Sequence, residues 1–232
     1  MDAIEYYKYL YKCAGQTLVD TYSDRDTAEL HVKSHGYLKD YGELCEAIAG
    51  RHESPVYDLA LKEYQFALLA LSSGQYRHAF SGLRLFFELW LSAVYFSGNE
   101  LDMRLWLRNS KDINWQQIVN PDNGLLSKTF CKAFNEPLSE DIKPFRLMAE
   151  TVYRECSQYV HGNSHTHKEL THEIKFRKAA CVEWHEKAKT MHLVILFVFS
   201  MRYLSFIDVT NAKIAHIIVS ELGHITELRS QF

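Results

Sequence analysis

The chain has 232 residues, a formal net charge of −3 and a sequence pI of about 6.5, so no overall positive field draws it to nucleic acid or to an anionic membrane, and any phosphate recognition must be local. With 47% hydrophobic and 13% aromatic residues it can bury a substantial core. Its five cysteines (Cys13, Cys45, Cys131, Cys156, Cys181) include no CxxC pair, which points away from a disulfide framework or a zinc–thiolate site and fits a reducing cytoplasm.

Residues 2–20 and 26–49 read as two helices, the second capped by Asp26 or Thr27 and closing at Gly50. The opening "MDAIEYYKYLYK" is acidic where a signal peptide is basic, so the secretory route is not expected. Tyr6, Tyr7, Tyr9 and Tyr11 crowd this first helix over more than one face, and core or interdomain packing is the expected use, ahead of a partner surface. Next, Pro55–Leu71 and Gln75–Phe96 form an antiparallel pair, with Leu59, Phe66, Leu69, Phe80, Leu83, Phe87 and Trp90 at helical spacing and Ser72, Ser73 and Gly74 as the turn.

Residues 97–144 are the least regular, with a turn at "NPDNG" (Asn120–Gly124) and short helical pieces around Leu101–Leu107 and Leu125–Phe134. A helix over Asp141–His161 has Pro144 in its first turn, where a missing N–H costs nothing. Residues 168–208 read as a long helix or a kinked pair. Its most apolar stretch, "HLVILFVFSMRYLSFI", has only seven uninterrupted apolar residues, against about 18 for a membrane span, so it is expected as a buried core helix with no membrane partner. Asn211–Leu228 is the last helix. No strand-like alternation, repeat or linker interrupts this pattern, and only 10 glycines and 4 prolines occur. The expected fold is all-α: an N-terminal helical extension over residues 1–54 and a helical domain over 55–232.

The chemistry concentrates in "YRECSQYVHGNSHTH", Tyr153–His167. An arginine followed at five to seven positions by a histidine is a cheap pattern: 11 arginines and 12 histidines give roughly one or two such pairs by chance. Two are present, Arg25/His31 and Arg154/His161, so context must decide. In the second pair, seven residues bring both side chains back to within about 20° of one helix face, two turns apart. Gly162 follows as a helix stop, placing His161 at an end that favours positive charge. The competing reading has Arg154 paired with a carboxylate and His161 closing the helix.

An arginine, a polar residue, five more residues and a histidine near a helix end, in an all-helical chain, resembles the signature of the HEPN superfamily. There the residue after the arginine is usually Asn, Asp or His; here it is Glu155. "GQYRHAFSGLRLFFELW", with Arg84 and Glu88, is similar to an early helix of many HEPN-like domains. The resemblance spans roughly residues 55–208. It implies a HEPN-like helical bundle and metal-independent RNA cleavage: attack of a 2′-OH on its own 3′-phosphate, with His161 as acid/base and Arg154 as phosphate clamp. Those residue types suit the tasks, since imidazole titrates at about 6.5 and guanidinium stays charged.

The resemblance also implies a homodimer, which supplies a second histidine for the leaving 5′-oxygen, and an RNA substrate. It further implies a toxin or effector role in a toxin–antitoxin or phage-defence system, with an antitoxin or defence protein as partner. A non-catalytic helical interaction module is the alternative. Glu155, Arg84, Glu88, Asn163, His165 and His167 are the supporting residues, although an ordinary i,i+4 ion pair also accounts for Arg84 and Glu88. His161, His165, His167 and His172, with Glu169 and Glu173, form a competing metal set, but with no nearby cysteine neither a metal nor another cofactor is expected.

Overall fold

A computed structural model describes residues 2–161, 163, 166, 173–208 and 211–232. Among these residues the chain is all-helical, with no strand: α1 (Ala3–Ser23), α2 (Arg25–Ala47), α3 (Ser54–Ser72), α4 (Tyr76–Phe96), α5 (Glu100–Leu107), α6 (Trp115–Ile118), α7 (Lys128–Asn135), a 3-10 turn (Glu136–Glu140), α8 (Ile142–His161), α9 (Lys178–Tyr203), α10 (Ala212–Leu222) and α11 (Thr226–Arg229).

Several boundaries differ from the sequence reading, each for a local reason. Asp24, and not Asp26 or Thr27, caps α2, its carboxylate accepting from the Thr27 N–H at 3.0 Å and the Thr27 hydroxyl at 2.9 Å. That single residue also ends α1, so the first helix runs three residues past 20. α2 stops at Ala47, before Gly50. The long helix begins only at Lys178, and the last segment is two helices because the chain turns at Gly223–His224. α6 escaped notice because one turn carries no periodicity.

α4 and α9 form the centre. Their side chains Phe80, Phe86, Phe87, Trp90, Trp184, Phe197 and Phe199 are fully buried, and the Trp184 indole donates to Ala79 O across the pair at 3.0 Å. α3 lies tightly on α4: a Cβ on Gly82 would stand 3.1 Å from that of Ala67. The connecting turn needs Gly74, whose φ of +75° suits glycine. α4 is, among the described residues, the helix long and apolar enough to cross a membrane by length and composition, with 72% of that stretch buried in the bundle.

Of the N-terminal segment, α2 belongs to the core. Tyr41 and Leu44 are fully buried, and Tyr64 of α3 donates to Ser34 O at 2.8 Å. α1 rides outside, where only Thr17 and Thr21 are buried. Its four tyrosines do not pack as the sequence reading expected: Tyr6, Tyr7, Tyr9 and Tyr11 are all exposed, because no helix among the described residues covers the half of α1 that carries them.

Candidate active site

α8 presents two faces. Phe145, Ala149, Val152, Tyr153, Cys156 and Tyr159 turn inward. Phe145 stacks on Phe197 (centroids 3.9 Å) and Tyr159 on Phe80 (3.9 Å). Leu147, Thr151, Arg154 and His161 turn outward and are exposed. The predicted pairing of Arg154 and His161 on one solvent face is therefore what the packing of the other face produces, the two residues lying about 10 Å apart along the axis.

The two Arg–His pairs now separate. Arg25 binds Glu29 at 2.8 Å, and His31 meets the Tyr22 hydroxyl at 3.0 Å and lies edge-on to His185. Its chemistry is engaged inside the fold. Arg154 and His161, by contrast, make no side-chain hydrogen bond or ion pair among the described residues. The nearest carboxylate one turn back, Glu150, faces Arg146 at 4.0 Å. Arg154 lines an open groove of about 480 Å³ with Trp115, Gln116 and Ser157.

Arg84 and Glu88 reach α8 not through Arg154 but through its neighbour. Arg84 Nη2 donates to the Tyr153 hydroxyl, which donates to Glu88 Oε1 at 3.1 Å, while the Arg84 and Glu88 charges stand 3.4 Å apart. The guanidinium also lies 4.5 Å from the Tyr153 ring centroid, and Trp115 covers Tyr153 at 3.6 Å and 6°. Burial, then the Glu88 carboxylate, pushes the Tyr153 hydroxyl up to about 12, so it stays a donor. The i,i+4 pair is thus also a brace that fixes α8 one residue before Arg154.

Glu155 is engaged from the other side, accepting from Lys187 Nζ of α9 at 2.8 Å. The same ammonium meets Glu183 at 3.2 Å. Burial opposes its charge, but the two carboxylates outweigh that and hold Lys187 above the usual lysine range. Glu155 therefore orients a helix, not a partner of Arg154.

The end of α8 is shaped by Arg77, whose Nη2 donates to Val160 O at 3.2 Å and so satisfies one of the orphan carbonyls beside His161. Asn163 contributes through its backbone: its N–H reaches Gln158 O at 3.3 Å, and its carbonyl accepts from Thr166 N at 2.9 Å. Gly162, His165 and His167 lie outside the described residues, as do His172 and Glu169 of the metal reading. Among the described residues no group of three His, Cys, Asp or Glu side chains is placed to hold a metal ion. Sequence reasoning missed Arg77, Tyr153, Trp115 and Lys187. Only Arg77 carried a local signal, as the basic first turn of α4.

Tyr153→Phe removes the hydroxyl that joins α4 to α8 and leaves Arg84 with only the ring and its ion pair to Glu88. It is expected to lower stability by about 1–3 kcal/mol, read as a fall in the urea midpoint; an unchanged midpoint would show that the bridge carries nothing.

No protein-family model, curated protein or solved structure matches this chain.

Proposed function

We propose that the chain is a HEPN-like, metal-independent endoribonuclease whose reacting groups are Arg154 and His161. The observation that carries this reading is their freedom. A guanidinium and an imidazole share one exposed face of a helix that Tyr153 and Glu155 hold from behind, and neither is engaged by another described residue. The groove beside Arg154 leaves room for a nucleotide phosphate within reach of its guanidinium.

In this reading His161 takes the proton of the attacking 2′-OH, and Arg154 neutralises the charge that grows on the phosphorane. The 5′-oxygen leaves with a proton from the His161 of a second copy, and the products are a 2′,3′-cyclic phosphate and a free 5′-hydroxyl. A role as toxin or defence effector, with a protein that restrains it, is the cellular setting proposed with it.

A second reading, a non-catalytic helical interaction module, draws on a different observation: Glu155 replaces the usual motif residue and is tied to Lys187, and exposed tyrosines crowd α1.

Purified protein incubated with total RNA in excess EDTA decides between them. Wild type is expected to leave 2′,3′-cyclic ends, and His161→Ala to cut at least about a hundredfold more slowly, with Arg154→Ala similarly impaired and both variants showing wild-type helical circular dichroism. Equal cleavage by wild type and His161→Ala, or none by either across added cellular extracts, would favour the module.

A further inference from the structure

We propose that the outward stripe of α1 is the surface through which two copies of this chain associate, the two helices lying antiparallel. This inference stands on the geometry of α1 and deepens the nuclease reading only by naming the contact that joins its two halves.

α1 has an inner and an outer face. On the inner one the Thr21 hydroxyl approaches Ser72 O at 3.4 Å, and Thr17 Cγ2 sits 2.9 Å from where a Cβ on Gly74 would stand. The helix is thereby docked on the α3–α4 turn. About a quarter turn round, Ile4, Tyr7, Tyr11, Leu18 and Tyr22 fall within roughly 60° of one another at 100° per residue. These five side chains run the length of the helix and are between 36% and 85% exposed. One gap interrupts them, at Ala14 and Gly15, and nothing lies within 4 Å of the Cβ position at Gly15.

The stripe is complementary to itself. A two-fold axis midway between Lys12 and Cys13 sets Tyr11 of one copy over Ala14 of the second, Tyr7 over Leu18, and Ile4 near Tyr22. The largest projection meets the only hollow, and every member of the stripe finds a counterpart. A parallel arrangement would set Tyr11 on Tyr11 and leave the hollow facing itself. Burying the exposed parts of these side chains removes on the order of 600 Å² per copy, or about 1,200 Å² in all, the lower limit for a specific stable interface. Tyrosine suits such a place, combining a large apolar ring with a hydroxyl that tolerates water in the unpaired chain.

Position joins the surface to the site. α1 is docked on the α3–α4 turn, and Arg77 at the start of α4 holds Val160, next to His161, at 3.2 Å. The Thr17–Thr21 part of α1 therefore docks near the end of the bundle where α8 terminates.

Sedimentation velocity across 1–100 µM full-length protein tests the proposal. Wild type is expected to shift from monomer to dimer in this range, and Tyr11→Glu to remain monomeric throughout, with an unchanged melting temperature because Tyr11 is 85% exposed. Orientation is read by mixing Tyr11→Cys and Ala14→Cys proteins, each in a Cys13→Ser background, under mild oxidation: the mixed disulfide should dominate over either self-linked product. A wild type that stays monomeric at 100 µM overturns the inference, as does a dimer that survives Tyr11→Glu and Tyr7→Glu together or predominant self-linking at position 14. If the dimer resists these changes while RNA cleavage persists, the inference falls and the nuclease reading stands. If the dimer behaves as expected but His161→Ala leaves cleavage unaltered, the outcome is the reverse.

Discussion

Glu53→Ala should cost the fold about 3–5 kcal/mol, lowering the melting temperature by roughly 10 °C for a chain of this size. The Glu53 side chain is fully buried just before α3. Its Oε1 accepts from Arg51 Nε at 2.6 Å and from the Tyr203 hydroxyl at 2.8 Å, and Tyr203 in turn meets Tyr57 at 3.0 Å. Burial alone would raise the carboxyl; the hydrogen bonds from Arg51, its own backbone and Tyr203 outweigh it, and the group is held below the usual carboxylate range. Its charge also serves Arg202, which is 4% exposed and, among the described residues, hydrogen-bonds to Ser97, through Oγ at 2.7 Å and the carbonyl at 3.2 Å. Without Glu53 two guanidiniums, both within 5.3 Å of the Phe206 ring centroid, have no other ion pair among the described residues. Replacing Arg51 and Glu53 together by methionine should recover part of the loss, since it removes one of the two uncompensated guanidiniums and leaves only Arg202 without its carboxylate. A Glu53→Ala protein that melts within about 2 °C of wild type, by circular dichroism, contradicts this account.

Acidification from pH 7 to pH 5 should remove about 4 kcal/mol of stability, because two imidazoles are buried neutral where α2 meets α9. His185 Nδ1 meets Ser34 Oγ at 2.8 Å, with His31 edge-on at 5.8 Å. His192 stacks under Tyr37 at 4.0 Å, and its Nδ1 meets the Tyr41 hydroxyl at 3.2 Å. Burial drives both down to about 3, aided by the neighbouring His31 for His185 and by Lys33 for His192. Asp40 stands 3.9 Å from His192, beyond hydrogen-bonding reach, and its own carboxyl is pushed up by burial, so it does not hold the imidazole charged.

The unfolded chain binds these protons at about 6.5 and the folded chain only near 3, so stability is complete above pH 6.5 and falls as the pH drops through that window. Each imidazole contributes about 2 kcal/mol of the loss between pH 7 and pH 5. Urea unfolding at pH 7, 6 and 5 reads it, and His185→Gln, which keeps a polar partner for Ser34, should roughly halve the pH slope. A midpoint that does not move between pH 7 and pH 5 would refute it.

The pH-sensitive seam and the Glu53 cluster share a feature that sequence could not reveal. Glu53 and Tyr203 are separated by 150 positions, and Ser34 and His185 by 151. In the sequence the histidines of α9 are polar interruptions of an apolar helix, and nothing marks them as neutral or Glu53 as buried.

The sequence by itself determined the helical content, the Ser72–Gly74 turn, Pro144 inside the first turn of α8 and the common face of Arg154 and His161, because each depends on side chains three, four or seven positions apart in one helix. Boundaries failed where capping chemistry, and not periodicity, sets them, as at Asp24. Only the tertiary structure decided what each face meets. It tied Glu155 to Lys187, routed Arg84 and Glu88 through Tyr153, paired Arg25 with Glu29 on the surface and set His31 against Tyr22 and His185, and left Arg154, His161 and the tyrosines of α1 exposed. These outcomes turn on which helices become neighbours, and local spacing carries no record of that choice.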